Sequence, residues 1–184
     1  MTSRVVFLDR DGVINAEGGY VDRPENLYPL PGSLEAIASL GRAGWTSIVY
    51  TNQAGVGRGY MSEESLLAVH NHLHNVVRDS GGRLAAIYAC VHAPDAECDC
   101  RKPTPGLLFQ AAKEHGIDLR ASYAVGDSPR DICAGHSAGC RTVLVLTGHT
   151  AAYDAALFPD PQPDYVFPTL LAFTDWLLSQ SGRN

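Results

Sequence analysis

Residues 4–12 read RVVFLDRDG. Arg4–Leu8 is a short, β-prone, mostly apolar run that stops abruptly at Asp9-Arg10-Asp11-Gly12. The same arrangement, a strand running into a polar string, returns twice. Trp45–Tyr50 (WTSIVY) runs into Thr51-Asn52-Gln53, and Ser122–Val125 runs into Gly126-Asp127. Further strands are expected at Ala85–Ala89, at Thr142–Leu146 and, along an edge, at Tyr165–Phe167. Between them the apolar spacing turns helical, over Ser33–Gly41, Ser62–Ser80, Pro105–His115, Pro129–Ala138 and Thr169–Ser179. Strands alternating with helices predict an α/β fold, a three-layer α/β/α sandwich around a mainly parallel, Rossmann-like sheet. Ligands of such sheets sit beyond the carboxyl ends of the strands, so the polar strings should converge on one rim.

The chain has 184 residues, a length suited to one domain spanning 1–184. Neither the stretch from Asp11 to Thr51 nor that from Thr51 to Lys102 has room for a separate cap domain, so the site should be capless and open. With 45% hydrophobic and 18% charged residues, the chain can bury a core. Its 14 basic and 20 acidic residues give a net charge of −6, which argues against non-specific nucleic-acid binding. An anionic substrate would therefore meet positive charge from a few local Arg or Lys residues or from a metal. The N-terminus lacks a basic region followed by an apolar one, and no apolar run nears the ~20 residues that span a membrane. Of five cysteines, three fall between Cys90 and Cys100, which does not suit a disulfide framework. The expectation is a cytoplasmic protein with reduced thiols, no membrane or nucleic-acid partner, and a monomeric state.

In extended backbone, residues i and i+2 point the same way, so Asp9 and Asp11 would share a small site. Two carboxylates so placed can divide a phosphoryl transfer. One attacks phosphorus, and the other protonates the leaving oxygen and then activates water. Their mutual repulsion calls for a hard divalent cation such as Mg²⁺, with Asp127 a natural third carboxylate. Alone, Asp-x-Asp-Gly reads equally as a turn, and Arg101-Lys102 as a solvated pair. Thr51 and Asn52 can donate to phosphoryl oxygens, Lys102 supplies a point charge, and Arg101 a bidentate fork.

Phe7-Leu8-Asp9-Arg10-Asp11-Gly12-Val13-Ile14-Asn15, Thr51-Asn52-Gln53, Arg101-Lys102-Pro103 and Gly126-Asp127-Ser128-Pro129-Arg130-Asp131 stand in the order found in haloacid dehalogenase-like phosphatases. The chain resembles that family from about Val5 to Gly148. Within it the likeness is to the heptose bisphosphate phosphatases, with the histidinol-phosphate phosphatases second. The resemblance implies Asp9 as nucleophile, Asp11 as general acid/base, and Thr51 and Lys102 as stabilisers of the transferring phosphoryl group. Mg²⁺ would be held by Asp9, the Asp11 carbonyl and Asp127, with Asp131 supporting the loop. A small phosphorylated sugar would meet Glu17, Gly18, Gly19, Tyr20, Asn52, Gln53, Ala54, Arg58 and Arg101. The implied reaction removes the 7-phosphate of a heptose 1,7-bisphosphate on the way to a nucleotide-activated heptose. A non-catalytic binding module is the reading from another class, and it would need no such set of residues.

Cys90, His92, Cys98 and Cys100 give C-x-H-x₅-C-x-C, four soft ligands that suit a tetrahedral structural Zn²⁺ site in a loop at 90–100. The alternative is chance cysteines beside a surface histidine. The resembled family carries such a loop immediately before its Arg-Lys-Pro string. Here Cys90-Val91-His92-Ala93-Pro94 lacks the proline and second histidine usual in it, and the loop is as short as in the histidinol-phosphate phosphatases. Gly55, Gly57 and Gly59 either expose backbone N–H groups or form a flexible connector, and Arg58 between them could hold a second phosphate. Cys133 and Cys140 read as core residues. His70, His72 and His74 read as solvated or core-edge residues, because i and i+2 do not share a helix face.

Overall fold

A computed structural model describes residues 4–156 and 158–181. Its centre is β1 (Val5–Leu8), buried along its whole length. Val6 and Leu8 face one apolar cluster, and Val5 and Phe7 face another. A strand apolar on both faces needs cover on both, which is the situation of a parallel sheet wrapped by helices.

Five further strands complete the sheet: β2 (Thr46–Asn52), β3 (Leu84–Cys90), β4 (Tyr123–Gly126), β5 (Arg141–Val145) and β6 (Tyr165–Phe167). All pairings are parallel, in the order β3-β2-β1-β4-β5-β6. The helices are α1 (Ser33–Arg42), α2 (Ala54–Gly57), α3 (Glu63–Asp79), α4 (Gly106–His115), α5 (Pro129–Ala138) and α6 (Leu170–Ser181). Ile37 and Leu40 of α1, Val69 and Leu73 of α3, and Phe173 of α6 fill one cluster. Leu107 and Leu108 of α4 and Ala134 of α5 fill the other. Three layers result, as the alternation of elements predicts, with β6 on the edge.

The strand order turns back between β1 and β4. The chain builds outward from β1 to β3, then returns to lay β4 on the other side of β1. The crevice at that reversal lies beyond Leu8 and Gly126, which are followed by Asp9 and Asp127. The segments between β1 and β2, and between β2 and β3, hold only loops, a 3-10 turn and α1 to α3. No cap stands over the crevice among the described residues, and no helix there is long and apolar enough to cross a membrane.

Two local readings change. Thr51 and Asn52, expected beyond β2, are its last residues, because they still pair with Ala89 and Cys90 of β3. The Gly55–Gly59 segment is neither open nor a loose connector. It contains the turn α2, whose Gly57 N–H donates to the Val91 carbonyl at 2.8 Å while the Gly59 N–H donates to Val56 at 2.9 Å. A Cβ on Gly57 would run into the backbone of His92 and Ala93, so glycine permits a close approach here.

Candidate active site

One cleft of about 540 Å³ collects most of the residues singled out in the sequence. Asp9, Asp11, Glu17, Gly19, Tyr20, Thr51, Asn52, Gln53, Ala54, Arg58, Arg101, Lys102 and Asp127 line it, and Gly18 does not. Pro94, Ser128, Arg130, Asp131 and His149 line it as well.

Asp9 is held at the end of β1 by its N–H, which donates to the Val125 carbonyl of β4 at 2.9 Å. Its Oδ1 accepts from the Arg10 N–H at 2.7 Å, and its Oδ2 lies 2.7 Å from Lys102 Nζ. Lys102 is buried, and its ammonium also reaches Asp131 Oδ1 at 2.6 Å and the Tyr50 carbonyl at 3.2 Å. One lysine thus stands between two buried carboxylates, above the face of the Tyr50 ring at 4.4 Å. Burial pushes the Asp9 carboxyl up to about 8, opposed by Lys102 and assisted by Asp131 and Asp11. Burial also acts to raise Asp131, but contact with Lys102 outweighs it and holds that carboxyl below its usual range. For Lys102, burial favours the neutral amine, and Asp131 and Asp9 overcome it, leaving the ammonium harder to deprotonate than usual. The triad is therefore a cation with one firm partner, Asp131, and one partner, Asp9, whose charge awaits further positive charge.

Asp131 owes its place to α5. It is the third residue of that helix, and its Oδ2 accepts from the N–H and hydroxyl of Ser128, the N-cap, at 3.1 and 2.6 Å. Lys102 is aimed by Asn52. The Asn52 Oδ1 accepts from the Lys102 N–H at 3.0 Å, and its Nδ2 donates to the Lys102 carbonyl at 3.1 Å. The Asn52 amide, expected at the substrate, is thus engaged with the chain that carries Lys102.

Asp11 is gripped by its neighbours. Arg10, Asn15 and Gln53 all donate to its carboxylate, at 2.8 to 3.1 Å. Gln53 also donates to the Thr51 hydroxyl at 2.8 Å, joining the β1 and β2 strings.

Asp9, Asp127 and Asp131 bring carboxylate oxygens within 4.8 Å of one another. Hard oxygen donors in a small, anionic crevice fit Mg²⁺. The crevice is also closed to side chains around Asp127, since a Cβ on Gly12 or on Gly148 would collide with its carboxylate. Gly12 takes a positive φ of 76°, which glycine adopts without strain. Burial raises the Asp127 carboxyl and Asp131 adds to this, while the His149 N–H, donating to its Oδ2 at 2.6 Å, opposes them.

The soft-ligand set also comes together. Cys90 Sγ lies 3.6 Å from His92 Nδ1 and 3.8 Å from Cys98 Sγ, and His92 Nδ1 lies 3.2 Å from Cys100 Sγ. All four ligand atoms fall within 4.8 Å of one another, a spacing and chemistry that fit Zn²⁺. The cluster sits immediately before Arg101 and Lys102, and Thr104 ties the segment by donating to the Asp99 and Arg101 carbonyls.

Sequence reasoning missed Arg10, Asn15 and His149. Arg10 stands between two aspartates, and nothing local marks it as buried. His149 did carry a signal, because Thr147-Gly148-His149-Thr150 is another polar string after a strand, β5. There the Thr147 hydroxyl donates to the Gly12 carbonyl at 2.6 Å, and His149 Nδ1 pairs with Glu17 Oε2 at 2.7 Å.

A family model described as HAD-hydrolase-like matches residues 99–173. The D-glycero-beta-D-manno-heptose-1,7-bisphosphate 7-phosphatase of Pseudomonas aeruginosa is 41% identical over 179 residues, covering 97% of this chain and 99% of its own length. The enzyme of the same name from Bordetella bronchiseptica is 44% identical over 147 residues, covering 79% and 82%. Among solved structures, the D,D-heptose 1,7-bisphosphate phosphatase of B. bronchiseptica, complexed with magnesium and phosphate, superposes with a TM-score of 0.89 at 40% identity, covering 96% of this chain and 99% of that one. Its counterpart from Burkholderia thailandensis gives 0.72 at 37% identity over the same shares.

Proposed function

Since the chain belongs to the haloacid dehalogenase-like hydrolases, in the family of the D-glycero-beta-D-manno-heptose-1,7-bisphosphate 7-phosphatases, we propose that it hydrolyses the 7-phosphate of a heptose 1,7-bisphosphate through an aspartyl phosphate on Asp9. The observation that carries this reading is the Asp9–Lys102–Asp131 triad in the crevice at the sheet's reversal point. A buried carboxylate flanked by a fixed ammonium and open on its other side is placed to attack, not to cap a turn.

In this reading Asp9 attacks phosphorus, and the bond to the sugar oxygen breaks as Asp11 gives that oxygen a proton. Asp11 then takes a proton from water, which attacks the aspartyl phosphate and releases inorganic phosphate. Lys102 and the Thr51 hydroxyl offset the charge of the moving phosphoryl group. Asp9, the Asp11 carbonyl and Asp127 would hold Mg²⁺, and the ion supplies the positive charge that lets a carboxylate and a phosphate approach. Asp131 keeps Lys102 charged. Arg58, whose Nη1 donates to the Tyr20 hydroxyl at 2.8 Å on the cleft wall, is a candidate for the sugar's remote end. Cys90, His92, Cys98 and Cys100 would hold a structural Zn²⁺, with no position left over for water. The reading also takes the protein as a cytoplasmic monomer.

A substrate panel tests it. The α and β anomers of the heptose bisphosphate and histidinol phosphate are compared by kcat/KM in the presence of Mg²⁺. A heptose bisphosphate should lead by at least about tenfold, the range a few lost contacts at the remote phosphate would give. A lead for histidinol phosphate would reverse the substrate assignment.

A further inference from the structure

Arg10 has no part in the chemistry proposed above, yet its side chain is 1% exposed. A buried guanidinium is costly unless its donors are matched. Here they are matched largely by the groups around Asp11. Nε reaches Asp11 Oδ1 at 3.1 Å, and Nη2 reaches Oδ1 and Oδ2 at 3.0 Å each. Nη2 also donates to Gln53 Oε1 at 3.0 Å, and Gln53 Nε2 in turn donates to Asp11 Oδ2 at 2.9 Å. Nη1 faces His70 Nε2, on α3, at 3.4 Å. Arginine can only donate, so His70 presents a bare Nε2 there. Burial and the Arg10 charge together hold the His70 imidazole near 4, which keeps it neutral.

We propose that Arg10 is a positioning residue for Asp11: with Gln53 it fixes the direction of the Asp11 carboxyl, and His70 anchors Arg10 so that α3 backs the group that protonates the leaving oxygen. This rests on reading Asp9 as the nucleophile and Asp11 as the acid/base. Proton transfer needs donor and acceptor within hydrogen-bond reach, and Asp11, left alone, would rotate freely on its two side-chain torsions. Arg10 loses no proton in either half of the reaction. It acts only by holding Asp11 where the sugar oxygen departs and where water later attacks.

The test separates acid-dependent from acid-independent turnover. The alkoxide of a sugar needs a proton to leave, whereas p-nitrophenolate departs as a stable anion. Arg10→Lys should lower kcat/KM on heptose bisphosphate by at least about tenfold and on p-nitrophenyl phosphate by less than about threefold, because kcat/KM reports the steps up to phosphoenzyme formation, where only the sugar oxygen needs a proton, and leaves out the later attack of water that needs Asp11 with either substrate. In an Asp11→Asn background the same substitution should cost nothing further on the sugar phosphate, since it acts through Asp11. His70→Leu and His70→Gln test the chain from its outer end, should Arg10→Lys fail to fold. Leucine removes the acceptor and should reproduce the selective loss in smaller measure. Glutamine offers an oxygen in its place and should restore kcat/KM on the sugar phosphate. Equal losses on both substrates, or an undiminished loss in the Asp11→Asn background, overturn the proposal while wild-type phosphoenzyme trapped by rapid quench leaves the reading of Asp9 standing. A wild type that forms no phosphoenzyme sinks both.

Discussion

Asp9 sits in an environment that resists its charge, and its function in the proposed reaction requires that charge. Replacing it with asparagine keeps the shape and the acceptor for the Arg10 N–H but removes the nucleophile. Asp9→Asn should therefore lower kcat on the order of 10⁴-fold or more, the scale seen when a nucleophile is deleted, while circular dichroism and the unfolding midpoint stay native-like. Normal turnover in that variant would sink the mechanism. At the residue scale the site is only partly legible in the sequence. Asp9, Asp11, Thr51, Lys102 and Asp127 were legible because each stands at or just past a strand end or in a short string that repeats a family pattern. Arg10 was not, because a charged residue in a sequence reads as solvated. Its burial depends on partners at 11, 53 and 70, which only the folded chain brings together. Asn52 was legible as a site residue, but its bonding to the backbone of Lys102 was not.

The elements that matter most to the site are short. α2 is one turn, and the Cys-rich segment has little core of its own, yet they brace each other. Gln53 N–H donates to the Cys90 carbonyl at 2.7 Å, and Gly57 N–H to that of Val91. Periodicity could not reveal this, because neither segment is long enough to carry a pattern. The glycines alone left two readings, and what decides between them is the path of the chain after β3. The contact gives a test. Gly57→Ala would force a Cβ into the His92–Ala93 backbone, an overpacking change that should cost about 1–3 kcal/mol. If the soft-ligand cluster holds Zn²⁺, the same variant should retain less zinc per chain and lose kcat in proportion, because Arg101 and Lys102 follow directly. Gly41→Ala serves as the control. A Cβ there meets nothing within 4 Å on a helix, and it should stabilise by up to about 1 kcal/mol. Wild-type protein prepared without chelator and carrying well under one zinc per chain would remove the metal from this account.

For the whole molecule, the alternation of strands and helices was enough to predict a parallel sheet and a shared rim, but not the strand order. That order places β4 beside β1 and so brings Asp127 to Asp9 across more than a hundred residues of chain. The candidate Mg²⁺ site is thus assembled by the complete fold, and ion binding should report on global stability. The direction with pH follows from Asp9. Burial lifts its carboxyl from the ordinary 3.8 to about 8 in the folded, metal-free chain. The folded state therefore binds this proton more tightly than the unfolded state does. The contribution is complete below about 3.8 and is lost as pH rises toward 8, so the metal-free protein weakens across that window. Mg²⁺ competes with the proton for the same carboxylate and binds better as the proton leaves. At a fixed Mg²⁺ concentration the gain in Tm should consequently grow from pH 5 to pH 8, the stabilisation reaching about 2.7 kcal/mol at a pH where the ion stands at 100 times its Kd. In Asp9→Asn the increment should be small and nearly flat, because no ionisation at that position remains to be coupled. Thermal unfolding with Mg²⁺ and with chelator, at half-unit pH steps, measures both. A wild-type increment that shrinks as pH rises would mean that the ion does not engage Asp9, and would move it to the Asp127 side of the crevice alone.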